Sequence, residues 1–398
     1  MKCSVLFLLF VSAVCSAPAD EEPLAQLVSG NRQFAAKVYK EILKTNRGNL
    51  IFSPFSAETV LALLSAGAKG DTLDELVTGV SLPSDQQNLQ RAFKELLPKL
   101  KSDHENLKLL SANRIYAKKG LKLEPDFNKV AVDIYGSSIE QVDFKQNVEA
   151  ANTINSWVED QTNHKIQDLI SKEDLGEDTA MVLVNALYLS GQWLHTFSPF
   201  TTKNEKFWKT ANDAVDVPTM SQTATFNYYD SKELGAQILE LPFEGTDTVK
   251  DLSMVIVLPH EKEGLQSLET NVEKLLAPQA FTKQRVHVKL PRFTIDSEIQ
   301  FVDILKSLGV QKIFNDDADL TGLAKTSRKL YVSKVIQKAF INVTESGVEA
   351  AAATAVIGVP LSLEYPIPPP PIRYFVDRPF IYYIKKGGLV LFAGRVKR

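Results

Sequence analysis

The chain has 398 residues, 44% of them apolar and 23% charged, with a formal net charge of −3. That balance gives no general pull toward nucleic acid or anionic lipid, and the apolar share is ample for a large core. Both cysteines, Cys3 and Cys15, lie near the N-terminus, so the rest of the chain must hold together without a disulfide and has no thiol nucleophile.

Met1 to Val11 carries one positive charge, at Lys2, ahead of an apolar run, and small residues follow at Cys15-Ser16-Ala17. This predicts a secretory signal peptide over residues 1–17, cut after Ser16 or Ala17, and an exported protein. The run is shorter than the roughly 20 residues a membrane anchor needs, and no later stretch is long and apolar enough to span. No Gly/Ser tract, long charge run or repeat divides residues 18–398, which argues for one large mixed domain.

From Gln33 to Leu43, apolar Phe34, Val38, Tyr39, Ile42 and Leu43 recur at helical spacing. In Asn49-Leu50-Ile51-Phe52-Ser53-Pro54, Ser53 can cap a helix and Pro54 can occupy its first turn. That helix is predicted to run to Ala68-Lys69-Gly70-Asp71-Thr72, where Gly70 stops it and the next helix starts. Another is predicted over Gln87–Leu97, ended by Pro98. Its Arg91 and Lys94, followed by Lys99 and Lys101, are diluted by Glu95, Asp103 and Glu105. The pattern suits a solvated helix face better than a heparin-like polyanion site.

Ala112-Asn113-Arg114-Ile115-Tyr116 reads as a short strand, and Met181-Val182-Leu183-Val184-Asn185-Ala186-Leu187-Tyr188-Leu189 as a central strand buried on both faces. Ile238–Phe243, Leu252–Pro259 and Val286–Phe293 read as strands closed by proline.

The most unusual stretch is Glu345 to Ser362. Val348, Ala350, Ala352, Thr354 and Val356 would share one face of a strand, uncharged and mostly small. Glu349, of opposite parity, would stay toward solvent. Ala350–Ala353 equally suits a turn of helix, so the residues alone leave strand, helix and surface loop open.

Enzyme signatures are missing. The five histidines, His104, His164, His195, His260 and His287, form no HExxH, and the chain has no GxSxG, GxGxxG, P-loop or CxxC. No catalytic residue, metal or cofactor is expected.

The C-terminal third resembles the serpins, the serine protease inhibitors. The likeness is carried by Leu330 to Phe340 before the unusual stretch, then Phe375-Val376-Asp377-Arg378-Pro379-Phe380 and Leu391-Phe392-Ala393-Gly394-Arg395-Val396 after it. Earlier, Ile154-Asn155-Ser156-Trp157-Val158, Thr162-Asn163-His164-Lys165-Ile166, and Gly191, Trp193, Phe197, Thr202 and Phe207 follow serpin-like order and spacing, so the resemblance covers essentially all of residues 18–398.

The resemblance implies an α+β, single-domain fold: several helices around a large mixed β-sheet and smaller sheets, with an exposed reactive loop at about 345–372. It implies a suicide inhibitor that forms a covalent complex with an extracellular serine protease, working as a monomer, with no nucleic acid or membrane partner. Glu345, Gly347, Val348, Glu349, Ala350, Ala351, Ala352, Ala353 and Thr354 would form the hinge. Counting fourteen residues from Gly347 places the reactive-site bond at Leu361–Ser362, and a branched apolar Leu361 suits chymotrypsin-like or elastase-like pockets. Tyr365 is a second possible cleavage residue, because the proline-rich Pro366–Pro371 segment is longer than the family usually has and blurs the register.

Other departures are Val348 for the usual Thr or Ser, Gln337 for a frequent His with no clear consequence, and His164 for the usual Gly. Asn342-Val343-Thr344 is a possible glycosylation sequon in the strand leading into the loop. The alternative function is a non-inhibitory serpin: a carrier, storage protein or chaperone. No proline or charge stands among Val348, Ala350, Ala352 and Thr354, which favours inhibition.

Overall fold

The structure is a computed structural model that describes residues 23–246, 249–326, 330–349 and 369–398. Helices dominate the start. α1 (Pro23–Thr45) buries Leu27, Phe34, Val38, Tyr39 and Ile42 along one face, extending the predicted amphipathic segment in both directions. After the short β1 (Leu50–Phe52), α2 (Pro54–Ser65) begins as expected: Ser53 Oγ accepts from Ser56 N at 3.1 Å, and Pro54 occupies the first position. Every residue of α2 is buried.

α2 ends at Ser65, and Gly70 opens α3 (Gly70–Val80) rather than stopping α2. α4 (Gln86–Leu100) is capped by Asp85, whose carboxylate accepts from Asn88 N at 2.9 Å. This helix passes through Pro98 instead of ending before it. In the last turn the proline removes only its own backbone hydrogen bond, and the buried Leu100 still packs on the core.

The middle of the chain alternates strands and helices: β2 (Ser102–His104), β3 (Leu107–Lys118), α5 (Pro125–Asp133), β4 (Ile139–Val142), α6 (Asn147–Gln161) and β5 (Met181–Gln192). β3 is much longer than the predicted Ala112–Tyr116. A meander follows: β6 (Lys203–Trp208), β7 (Ala214–Ser231), β8 (Ala236–Pro242) and β9 (Leu252–Pro259). Then come α7 (Leu265–Thr270), α8 (Val272–Leu276), β10 (Thr282–Pro291), β11 (Phe293–Gln300), α9 (Phe301–Ser307), β12 (Lys334–Val343) and β13 (Gly347–Val348). The chain closes with β14 (Ile372–Phe375), β15 (Phe380–Lys386) and β16 (Leu389–Val396). β8, β9 and β10 each end on proline, as predicted.

Among the described residues the strands form two mixed sheets. The nine-stranded sheet runs β1-β16-β15-β9-β8-β7-β10-β14, with β6 beside β7. The seven-stranded sheet runs β11-β12-β13-β5-β3-β2, with β4 beside β3. Within it β12 and β5 pair directly in parallel, from Lys334 opposite Val182 to Ala339 opposite Leu187.

β5 is covered on both faces, which is why its sequence is a continuous apolar run. Met181, Leu183, Leu187 and Leu189 face the larger core, beneath which α2 lies. Val182, Val184 and Ala186 face a second core with Ala150, Ala151, Ile154 and Val158 of α6. The two-residue alternation of a strand thus sorts its side chains between two dry environments.

Candidate functional site

β12 and β5 diverge at one end, and Gly347–Val348, in the stretch expected to form a hinge, occupies the gap. After Val343 the chain turns sharply: Thr344 N donates to Gly347 O at 2.8 Å, and Thr344 Oγ1 donates to the same oxygen at 3.1 Å. β13 then runs antiparallel to both neighbours, with Val348 opposite Val343 on β12 and Gly191 on β5. Val348 is 1% exposed and belongs to the larger core.

Glycine is required at 347 by close approach: a Cβ there would lie 1.9 Å from Gly191 O. Glu345 and Ser346 are tied to the segment after β5. Phe197 N donates to Glu345 O and Trp193 N to Ser346 O, both at 2.9 Å. Trp193 Nε1 also donates to Thr344 O at 3.0 Å, while its ring stacks on Phe243 at 4.7 Å. Thr202 Oγ1 donates to the Glu345 carboxylate at 2.7 Å, and Arg292 lies 3.8 Å from its other oxygen. The segment Gly191–Thr202, singled out by its spacing, does sit beside the hinge.

Glu349 corrects the sequence reading. Its side chain is 3% exposed rather than directed to solvent. Opposite parity does point it to the other face of the sheet, but that face is covered by α6 and the turn that follows it. There Lys165 Nζ approaches Glu349 Oε2 at 3.4 Å. The buried Tyr188 hydroxyl is pushed up to about 12, first by burial and then by the Glu349 charge. The turn itself is strained. Asn163 and His164 both take left-handed backbone, at φ +50° and +57°, so the position where the family usually has Gly does need that conformation.

Below the hinge a buried polar network spans the line between β5 and β12. Gln337 Oε1 accepts from Ser53 N at 2.8 Å, and Gln337 Nε2 donates to Ser53 O at 2.8 Å and to Asn185 Oδ1. Asn185 Nδ2 donates to Ser56 Oγ and Asn113 Oδ1, each at 2.7 Å, and Ser53 Oγ donates to Leu391 O at 2.7 Å. Gln337 therefore has a definite role, clipping two strands to each other and to the cap of α2. Reading the sequence alone missed this network. The one signal available was a cluster of polar residues, Ser53, Ser56, Asn185 and Gln337, inside otherwise apolar segments.

Of the remaining sites, Asn342 lies on β12, partly buried, with its side-chain oxygen accepting from Thr294 Oγ1 at 2.9 Å. Ala350, Ala351, Ala352, Ala353, Thr354, Leu361, Ser362 and Tyr365 lie outside the described residues. Among the described residues no cluster of three His, Cys, Asp or Glu is arranged to hold a metal, and no helix is long and apolar enough to cross a membrane. On α4, Lys99 pairs with Glu95 at 2.6 Å.

The site is thus a sheet with the short strand Gly347–Val348 lodged between two longer strands, and a polar clip joining those strands below it. The family model for serpins (serine protease inhibitor) matches residues 29–398. Alaserpin of Manduca sexta is 37% identical over 391 residues, covering 96% of each chain, and antitrypsin of Bombyx mori is 35% identical, covering 97% of each. The crystal structure of Serpin48, described as a highly specific serpin in the insect Tenebrio molitor, superposes with a TM-score of 0.86 at 43% identity, covering 96% of this chain and 99% of that one. The chain belongs to the serpin family.

Proposed function

We propose that this serpin inhibits extracellular serine endopeptidases of chymotrypsin-like or elastase-like specificity, by acyl trapping with loop insertion. In this reading the protease serine Oγ attacks the carbonyl carbon of Leu361. The Leu361–Ser362 C–N bond breaks, the new amine of Ser362 leaves with a proton, and an ester joins Leu361 to the protease. The loop N-terminal to the cut then enters the seven-stranded sheet between β5 and β12. Trapping succeeds when insertion outruns hydrolysis of the ester, so the outcome is a competition of rates. The serpin supplies no catalytic residue of its own.

The observation that carries the reading is the placement of Gly347–Val348. The hinge already occupies the first two positions of a strand antiparallel to β5 and β12, and continuing it requires only that those two strands part further. Export follows from the signal-like first 17 residues.

The test is incubation of the protein with chymotrypsin and with a neutrophil-type elastase, followed by a denaturing gel and the mass of the released C-terminal peptide. A complex that survives boiling, with a peptide beginning at Ser362, is the expected result. A peptide beginning at Pro366 moves the site to Tyr365. Clean cleavage with no complex, and no gain in heat stability after the cut, would sink the inhibitory reading in favour of a carrier or storage role.

A further inference from the structure

β10 carries a basic residue at every second position: Lys283, Arg285, His287 and Lys289. The two-residue period of a strand puts them on one face, and the alternate residues Val286, Val288 and Leu290 are fully buried on the other. β14 runs alongside in parallel and adds Arg373 opposite His287, while β7 sets Thr225 opposite Arg285 and Thr223 opposite His287. Lys289 is neutralised by Glu205 at 2.5 Å. His287 bonds Ser221 Oγ at 3.0 Å and packs edge-on to Phe375. Lys283, Arg285 and Arg373 are exposed and make no ion pair among the described residues. At about 3.3 Å per residue and 4.8 Å between strands, the backbones of these three free cations fall within about 15 Å of one another.

Two further observations say what covers this face. Phe200 is 84% exposed at the edge of the same sheet, where its neighbour Thr201 donates from Oγ1 to Ser221 O at 2.8 Å. Three cations are few for a linear polyanion, whose binding grows with each charge it neutralises, whereas an exposed aromatic beside arginines suits a protein surface. Arg373 also stands twelve residues after Leu361, at most about 43 Å of fully extended chain. A protease seated on the Leu361–Ser362 bond is a body at least about 30 Å across, so the chain itself holds it within reach of these charges.

We propose that Lys283, Arg285 and Arg373, with Phe200 at their edge, form a second docking surface for the target protease, and that it selects enzymes with an acidic surface on the side of the cleft that receives the residues after the cut. The proposal rests on the reading that the loop offers a bond to a protease, and it adds a charge criterion that Leu361 does not supply. Complementary charge of this kind acts on the rate of encounter and fades with salt.

The test compares chymotrypsin with succinylated chymotrypsin, whose lysine ammonium groups have become carboxylates around an unchanged cleft. The second-order rate of loss of intact chain is divided by each form's rate on a small neutral peptide substrate. At an ionic strength of about 0.01 M, where charges act over about 30 Å, the parent chain should favour the succinylated form by roughly tenfold. The preference should vanish at about 1 M salt and in the triple variant Lys283→Gln, Arg285→Gln, Arg373→Gln. A control variant, Arg91→Gln, Lys94→Gln, Lys101→Gln, removes as much charge from exposed positions on and just after α4 and should keep the preference.

No preference in the parent, an equal loss in the control variant, or no attack by either enzyme form would overturn the proposal. So would a triple variant that loses retention on a heparin column yet still favours the succinylated enzyme, because the face would then be a polyanion site. Loss of intact chain counts cleaved and trapped serpin alike. A preference of the expected size with no covalent complex therefore upholds the docking surface and overturns only the inhibitory reading.

Discussion

Gln337 Nε2 donates a hydrogen bond to Asn185 Oδ1 across the boundary between β12 and β5, the boundary at whose end Gly347–Val348 lies. The same amide also closes on both backbone groups of Ser53, so one side chain joins two strands to the start of α2. Replacing it with Ala leaves the Ser53 N–H and C=O and the Asn185 amide short of partners in a site that is 1% exposed at Gln337. The expected loss is about 3 kcal/mol, seen as a lower midpoint in thermal scans at a fixed rate. A midpoint within a degree of the parent would show that the clip does not hold the sheet closed.

Glu58 makes stability depend on pH. Its carboxyl is fully buried on α2, with Oε2 accepting from Asn31 Nδ2 at 2.8 Å and Oε1 unpartnered among the described residues. Burial pushes its pKa up to about 8, against the smaller opposing pull of the Asn31 hydrogen bond. A carboxyl raised on folding contributes fully below the ordinary value of 4.5, and that contribution is lost as pH climbs to about 8. The total is on the order of 5 kcal/mol as an upper bound. Melting midpoints should therefore fall from pH 5 to pH 8 and level off above. Glu58→Gln should flatten that part of the profile, and an unchanged slope in the variant would refute the assignment.

His164 sits at φ +57° with its N–H donating to Glu159 O at 2.8 Å. Its side chain is exposed, so the left-handed backbone is not offset by packing. His164→Gly is expected to stabilise the protein by about 1 kcal/mol, measurable as a rise in the thermal midpoint. A fall would mean that the exposed imidazole makes a contribution larger than the backbone strain.

Gly347 tests the link between seating and trapping. An added Cβ meets the Gly191 carbonyl oxygen and the Gln192 backbone, neither of which is a flexible side-chain end. Gly347→Val should keep the loop cleavable but block its entry, turning the protein from inhibitor toward substrate. On a denaturing gel the covalent complex should drop at least tenfold relative to cleaved serpin, a barrier change of about 1.4 kcal/mol or more. A normal yield of complex would show that the seated geometry is not on the trapping route.

These residues also mark how far the sequence could be read. The Ser53–Pro54 helix start and the β5 run were legible because each is local: a cap beside a proline, and nine successive residues without a charge. The family was legible by resemblance, from the motifs on either side of residues 345–362. The role of Gln337 was not, because its partners lie 284 and 152 residues away in the chain. Glu349 was misjudged because parity tells which side of a sheet a residue faces but not whether a helix covers that side. Pro98 was misjudged because proline breaks the interior of a helix far more than its final turn. β3 was read short because Lys108 and Ser111 break up the stretch before Ala112, whereas the length of the strand is fixed by its pairing with β5.

β5 and β12 meet in a direct parallel ladder, the weaker kind of pairing per residue. A third strand running the full length of that line would replace one parallel ladder with two antiparallel ones, which are the stronger kind per residue. If the proposed insertion holds, the molecule as folded would be a waypoint, reached because it forms faster and not because it lies lowest. Mild heating that parts β5 from β12 without unfolding the rest should yield a form more resistant to denaturant than the starting material.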